Sequence, residues 1–231
     1  MHDQTDQRLD QLEDWLEIFF DDANFSLSKA SDDASFRRYF RIERSNLSFI
    51  AMDAPPEKEN SKLFIEIAKL LRDNNVHAPK IIDADLIQGF LLIEDLGNTT
   101  FLQALNGKTN LNLYKLAIDE LIKIQQINLK DQALNLYDNA LLNTELELLI
   151  DWYLPKDIDQ NSLNNLRTLF SQLVQNSLNS EQVFVHRDYH ARNLMITNEK
   201  ITVIDFQDAV IGSNTYDLVS LLKDAYFELK P

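Results

Sequence analysis

Residues 185–195 read VHRDYHARNLM, and residues 201–209 read ITVIDFQDA. In the first stretch an acid, Asp188, precedes an amide, Asn193, by five positions; in the second an apolar run ends on another acid, Asp205. Groups of these types suit phosphoryl transfer, which needs an oriented hydroxyl, a hard cation on the phosphates and donors for the spreading charge. Asp188 can accept the proton of an acceptor hydroxyl. Asn193 and Asp205 offer amide and carboxylate oxygens of the kind magnesium accepts alongside phosphate and water. Strands at 194–197 and 201–204, joined as a hairpin through 198–200, would bring both donors to one end of a strand pair.

Elements on either side must position that loop. Leu9, Leu12, Trp15, Leu16 and Phe19 recur at helical spacing, which predicts an amphipathic helix over 6–20. Residues 24–52 predict three antiparallel strands with turns near 31–35 and 44–47, the third strand stopped by Pro55 and Pro56. A helix follows over 61–72, with Leu63, Phe64, Ile67, Leu70 and Leu71 on one face and Ser61 as its expected N-cap. APKIIDAD and GFLLIEDL predict two further strands turning at Gly89. Beyond Gly97 the pattern is helical over 100–106, 111–127, 141–153 and 161–178. A strand is expected at 183–185 before the hairpin, and a closing helix over 216–229. The chain thus divides into residues 1–95, five strands with helix packing, and 96–231, mostly helical with a small hairpin: an α+β fold.

The composition excludes several chemistries. There is no cysteine in the 231 residues, which rules out disulfides, thiolate metal sites and cysteine nucleophiles. The net charge of −15, from 37 acids against 22 bases, repels a phosphate backbone and argues against nucleic-acid binding. MHDQTDQRLDQLEDW lacks the basic start and apolar core of a signal peptide. No run approaches the ~18–20 apolar residues that span a bilayer. A cytoplasmic protein without a membrane partner is expected; the oligomeric state stays open.

His186–Arg187–Asp188 with Asn193 has the H-R-D-x-x-x-x-N spacing of a kinase catalytic loop. With IDFQDA it resembles the aminoglycoside-phosphotransferase branch of the protein-kinase-like superfamily, whose loop carries histidine at the position of His190. SDDASFRRYFRI, AMDAPP, GFLLIEDLG, LLNTELELLIDWYL and TYDLVSLLKDAY are similar to one subgroup, the cell-wall sugar kinases, over nearly the whole chain from about residue 25. Those enzymes phosphorylate the anomeric hydroxyl of N-acetylmuramate and N-acetylglucosamine in peptidoglycan recycling. The resemblance implies a bilobal kinase-like fold, ATP and Mg²⁺ as cofactors, and a small-molecule acceptor, best an amino sugar. It implies Asp188 as the base and Asn193 and Asp205 as the metal ligands. His190 is expected either to touch the transferred phosphate or to pack the loop. Asp208 is either a second metal ligand or a solvated acid. His186 is expected to bond backbone near the metal loop, and Asp217 to hold the catalytic loop from below. Residues 94–96, with Glu94 and Leu96, would read the adenine edge through their backbone.

The chain departs from the kinase pattern in three places. Met52 stands where the phosphate-binding lysine belongs, and Phe64 where its glutamate partner belongs, with Glu66 towards the flank. The two losses belong together, because either charge alone would be buried unpaired. SDDASF has no glycine where backbone normally approaches phosphate, and Arg37, Arg38 and Arg41 follow it. An arginine, first of all Arg38 and otherwise Arg37, is expected to replace the lysine as phosphate clamp. Members of the family usually continue with further helices after the TYDL segment, so the chain is expected to be short at its C-terminus. Two other readings stay open: a kinase for an aminoglycoside, choline or another small alcohol, and a nucleotide-binding protein without catalysis.

Overall fold

The computed structural model describes residues 6–31, 36–130 and 134–229. The chain divides into two compact units, residues 1–73 with 77–98 and residues 74–76 with 99–231. The fold is α+β, as expected.

The first unit opens with helix α1 (Gln7–Phe20), whose N-cap Asp6 accepts from the Leu9 N–H and whose chain reverses at Asp21 in a left-handed conformation. Strands β1 (Ser26–Ser31), β2 (Arg38–Arg44) and β3 (Leu47–Asp53) follow, then helix α2 (Ser61–Asp73) and strands β4 (Ile81–Asp85) and β5 (Phe90–Glu94). They form one antiparallel sheet in the order β1-β2-β3-β5-β4. Most of the turn expected near 31–35 falls on residues outside those described. The cap of α2 corrects an expectation: Asn60 Oδ1 accepts from the Leu63 N–H at 3.1 Å, so Asn60 caps the helix and Ser61 is its first residue.

Register assigns the faces of this sheet. Phe40 pairs with Ala51 and Ala51 with Leu92, so these share a face. That face, with Ile42 and Phe90, packs on Leu12 and Leu16 of α1, both fully buried. Burying each leucine stabilises the unit by about 1.5–3 kcal/mol. Tyr39, Met52 and Leu91 form a second cross-strand row and point the other way.

The β4–β5 turn closes on Gly89, at φ 78°, where an added Cβ would lie 2.0 Å from the Ala54 carbonyl oxygen. That carbonyl belongs to backbone already fixed by an Ala54 N–H to Gly89 carbonyl bond of 2.9 Å. Gly89→Ala is therefore expected to destabilise the protein by about 2–4 kcal/mol, read as a lowered urea midpoint at unchanged slope.

The second unit contains helices α3 (Phe101–Leu105) and α4 (Leu111–Gln125), strand β6 (Asn135–Leu136), helix α5 (Asn139–Leu148), a π-helical turn (Leu149–Tyr153) and helix α6 (Gln160–Asn179). Strands β7 (Gln182–Val185), β8 (Leu194–Thr197), β9 (Lys200–Val203) and β10 (Val210–Ser213) and helix α7 (Tyr216–Leu222) complete it. Side chains of Thr100, Asn110, Asp138 and Asp159 cap α3, α4, α5 and α6. The single helix expected over 141–153 loosens into the π turn, then ends at Leu154 in extended conformation, as a residue before proline must. Strands β6 and β10 had no clear periodic signal; with β7 they make a three-stranded sheet over a core of Tyr137, Leu142, Val174, Val183, Val185 and Val210.

Strands β8 and β9 form the expected hairpin, with Asn198 and Glu199 both left-handed in its two-residue turn. The closing helix is shorter than expected. It ends at Leu222, after which Asp224 turns the chain by accepting from the Tyr226 N–H at 2.7 Å.

Candidate active site

The loop over 186–193 connects β7 to β8 and is bonded at several points within its own unit. Asp217, on the first turn of α7 and 1% exposed, accepts the His186 N–H at 2.7 Å and the Arg187 N–H at 3.0 Å. This is the supporting role expected of it. Burial pushes its carboxyl up to about 7, against the lowering effect of those two bonds.

His186 is fully buried, and its Nε2–H donates to the Ile204 carbonyl at 3.0 Å, which ties the loop to the end of β9. Its Nδ1 is buried without a hydrogen-bond partner, so a second proton there would have no acceptor. Burial lowers the imidazole to about 4, and the ring stays neutral. Tyr189, fully buried, donates its hydroxyl to the Ala117 carbonyl of α4 at 2.7 Å. Asp224 accepts the Ala191 N–H at 2.7 Å. The sequence reading missed both anchors. Tyr189 was detectable as a large ring within a polar loop, whereas Asp224 carried no local signal.

These supports present Asp188 on the exposed side of the loop. Partial burial of its carboxyl raises its pKa; His190 opposes that rise, while the acids Asp205 and Asp208 add to it. The His190 N–H closes a turn onto the Asp188 carbonyl at 2.9 Å, and the His190 ring stands edge-on to Tyr226 with centroids 5.2 Å apart.

Asn193 and Asp205 come together as the hairpin requires. The Ile204 N–H donates to the Asn193 carbonyl at 3.0 Å. The Asn193 side-chain nitrogen donates to the Asp188 carbonyl at 3.2 Å and to Asp205 Oδ2 at 3.3 Å, which orients the amide. Asp205 is left-handed at φ 63° and Arg187 at φ 75°, unfavourable for side-chain-bearing residues and concentrated here on both sides of Asp188 and Asn193. Gln207 donates to Asp205 Oδ1 at 2.8 Å and to Asp208 Oδ2 at 3.2 Å. Its own Oε1 is buried with no hydrogen-bond partner. That orphaned oxygen, the oriented amide and the carboxylates form a hard-oxygen donor set suited to magnesium. Among the described residues no group of three or more His, Cys, Asp or Glu forms a cage for a metal. Magnesium needs none, since it keeps waters and substrate phosphates as its other ligands.

In the first unit the expected nucleotide contacts are distributed unevenly. Met52 and Phe64 are both buried, as an apolar replacement of an ion pair requires. Arg38 pairs in register with Asp53, on the face that α1 covers and opposite to Met52. Its guanidinium holds the fully buried Asp53 at 2.8 Å and also Asp6, while Arg8 of α1 grips the same Asp53 at 2.8 Å. A side chain so placed lies on the face opposite to Met52 and is committed to Asp53 and Asp6, which weighs against the preference for Arg38. Arg37, one residue earlier and of the same parity as Tyr39 and Met52, pairs with Glu59 at 2.8 Å. Arg41 pairs with Asp95 at 2.7 Å. The Glu94 N–H donates to the Lys80 carbonyl at 2.9 Å, so Glu94 could offer a base edge only its carbonyl. Leu96 lies in the irregular segment after β5, next to Gly97 at φ 81°.

Comparison with known proteins agrees with this geometry. The N-acetylmuramate/N-acetylglucosamine kinase of Pseudomonas putida is 42% identical over 96% of this chain and 69% of its own length. The N-acetylmuramate/N-acetylglucosamine kinase of Pseudomonas aeruginosa is 40% identical over the same shares. Among solved structures, aminoglycoside phosphotransferase APH(2'')-Ib in its ADP-bound form superposes with a TM-score of 0.66, covering 94% of this chain and 77% of its own, at 16% identity. That likeness shows a protein-kinase-like fold. The profile of the phosphotransferase enzyme family matches residues 26–231, from β1 through the catalytic loop and beyond, and the chain belongs to that family of small-molecule kinases.

Proposed function

We propose that this protein transfers the γ-phosphoryl group of ATP to the anomeric hydroxyl of N-acetylmuramate and N-acetylglucosamine, in the cytoplasm, as a step of peptidoglycan recycling. The observation that carries the chemistry is the loop geometry: an outward-facing Asp188 whose neighbour Asn193 bonds both the Asp188 carbonyl and Asp205. The acceptor rests on relatives of that name at 40–42% identity. Among the described residues no helix is long and apolar enough to cross a membrane.

In this mechanism Asp188 accepts the proton of the sugar hydroxyl as the oxygen attacks in line. Asn193 and Asp205 would hold Mg²⁺, with Gln207 steadying the Asp205 carboxylate and Asp208 beside it. Magnesium, when bound, would offset the negative charge of the phosphate oxygens. His190 is proposed to face the transferred phosphoryl group. For the cation on the nucleotide phosphates we propose Arg37 rather than Arg38, because Arg37 has the parity of Met52. The adenine edge is proposed to meet the Glu94 carbonyl and the backbone at Leu96.

The test is ADP release with ATP and magnesium, offering N-acetylmuramate, N-acetylglucosamine, an aminoglycoside and choline in turn. Turnover of the two amino sugars with loss of their reducing end is expected. Turnover of choline or the aminoglycoside alone overturns the acceptor assignment, and ATP binding without any turnover favours a non-catalytic protein. In the same assay Arg37→Ala is expected to raise the KM for ATP by about tenfold, the loss of one charge-assisted contact. Arg38→Ala should leave that KM within about twofold and instead lower the melting temperature, since Asp53 loses a buried partner.

A further inference from the structure

Next to the base lies a connected polar group for which the mechanism above has no use. Arg187 occupies its left-handed position with its Nη2 on the Glu145 carboxylate of α5 and its guanidinium 5.6 Å above the Tyr137 ring. Its Nη1 reaches the Asp208 carbonyl at 3.5 Å, and its Nε is buried with no partner. Glu145 accepts a second hydrogen bond from the Tyr137 hydroxyl, which lies 3.1 Å from the Tyr216 hydroxyl. Tyr137 is 2% exposed and also stacks edge-on with Tyr216, at 5.2 Å between ring centroids. One carboxylate therefore orders two donors in a partly buried setting, 42 residues from Arg187 in sequence.

The consequence follows from what is adjacent. A guanidinium deprived of Glu145 remains one residue from Asp188, the nearest alternative anion along the chain. A salt bridge there would occupy the oxygens that must take the acceptor's proton. Asp217 fixes the backbone N–H of Arg187 but does not touch its side chain. We infer that Glu145 is a positioning residue for phosphoryl transfer: by holding the Arg187 guanidinium against Tyr137, it keeps that cation off the Asp188 carboxylate and leaves the base available. The inference rests on Asp188 being the base.

The experiment is a double-mutant cycle on kcat, with Glu145→Gln, Arg187→Met and the two combined, using ATP and whichever amino sugar turns over. Glu145→Gln is expected to lower kcat by about 10- to 100-fold, with the KM for ATP within about twofold. In the Arg187→Met background the same substitution should change kcat by less than about twofold, because no guanidinium remains to misdirect. An equal loss in both backgrounds, or no loss in either, overturns the inference. A merely structural role would lower the melting temperature in both backgrounds without this dependence on Arg187. Should Glu145→Gln not fold, Glu145→Asp, which draws the carboxylate back by one methylene, decides by the same comparison. Asp188→Asn is measured alongside: retained turnover there refutes the base itself, whereas its loss together with a normal Glu145→Gln refutes only the role of Glu145.

Discussion

Asp188→Asn is expected to cut phosphoryl transfer by about 10³-fold while leaving ATP affinity within about twofold. The side chain sits on the exposed side of its loop, and among the described residues the loop's anchoring bonds run through Asp217, His186, Tyr189 and Asp224. The Asp188 carbonyl accepts from His190 and Asn193, but that is backbone and survives the substitution. An amide in place of the carboxylate keeps the shape and removes the negative charge, and with it the basicity. The expected signature is therefore a kcat effect on a protein with unchanged melting temperature, measured by ADP release and by calorimetric titration of ATP. Turnover within tenfold of the unaltered protein would refute Asp188 as the base.

How much of this was legible beforehand depended on whether a signal was local. The five-stranded sheet, α1, α2 and the β8–β9 hairpin all announce themselves by period, and Asn193 and Asp205 meet because a two-residue turn leaves no other pairing. Met52 and Phe64 are both buried, as an apolar pair in place of an ion pair would have to be. The preference for Arg38 lacked something parity alone could not supply. Which face α1 covers is set by Leu12 and Leu16 meeting Phe40 and Phe90, contacts far apart in sequence. Glu145 failed to stand out for the same reason: it is one of two acids on a helix rich in leucine, and its meaning lies in Arg187. Asp224 interrupts what the spacing predicted as a continuous helix, because its carboxylate bonds the Ala191 and Tyr226 N–H groups and so turns the chain. Tertiary bonding overrode local propensity there.

The second large effect is expected in the pH dependence of stability, and it arises from Asp217 and His186 together. Asp217 rises from about 3.8 to about 7 on folding, and His186 falls from 6.5 to about 4. Between pH 4 and 6.5 the folded protein holds a proton on Asp217 that the unfolded chain releases, so this group's contribution weakens as pH rises. Over the same window the unfolded chain holds a proton on His186 that the folded protein refuses, so that contribution strengthens as pH rises. Each slope is about 1.4 kcal/mol per pH unit, and the signs are opposite, so the pair cancels. Removing one member uncovers the other. Relative to the unaltered protein, Asp217→Asn should gain about 3 kcal/mol of stability between pH 4 and 6.5 from the remaining His186 slope. His186→Asn should lose a similar amount over that range and continue downward to about pH 7. Both variants start from lower stability, because the first disturbs two backbone bonds and the second loses the bond to Ile204, so the quantity to compare is the slope. Urea unfolding from pH 4 to 7 reads it directly. Curves that run parallel to that of the unaltered protein would mean that the loop is not held by a neutral histidine and a protonated acid. Diverging curves would show that the support beneath Asp188 keeps a constant net charge across that window.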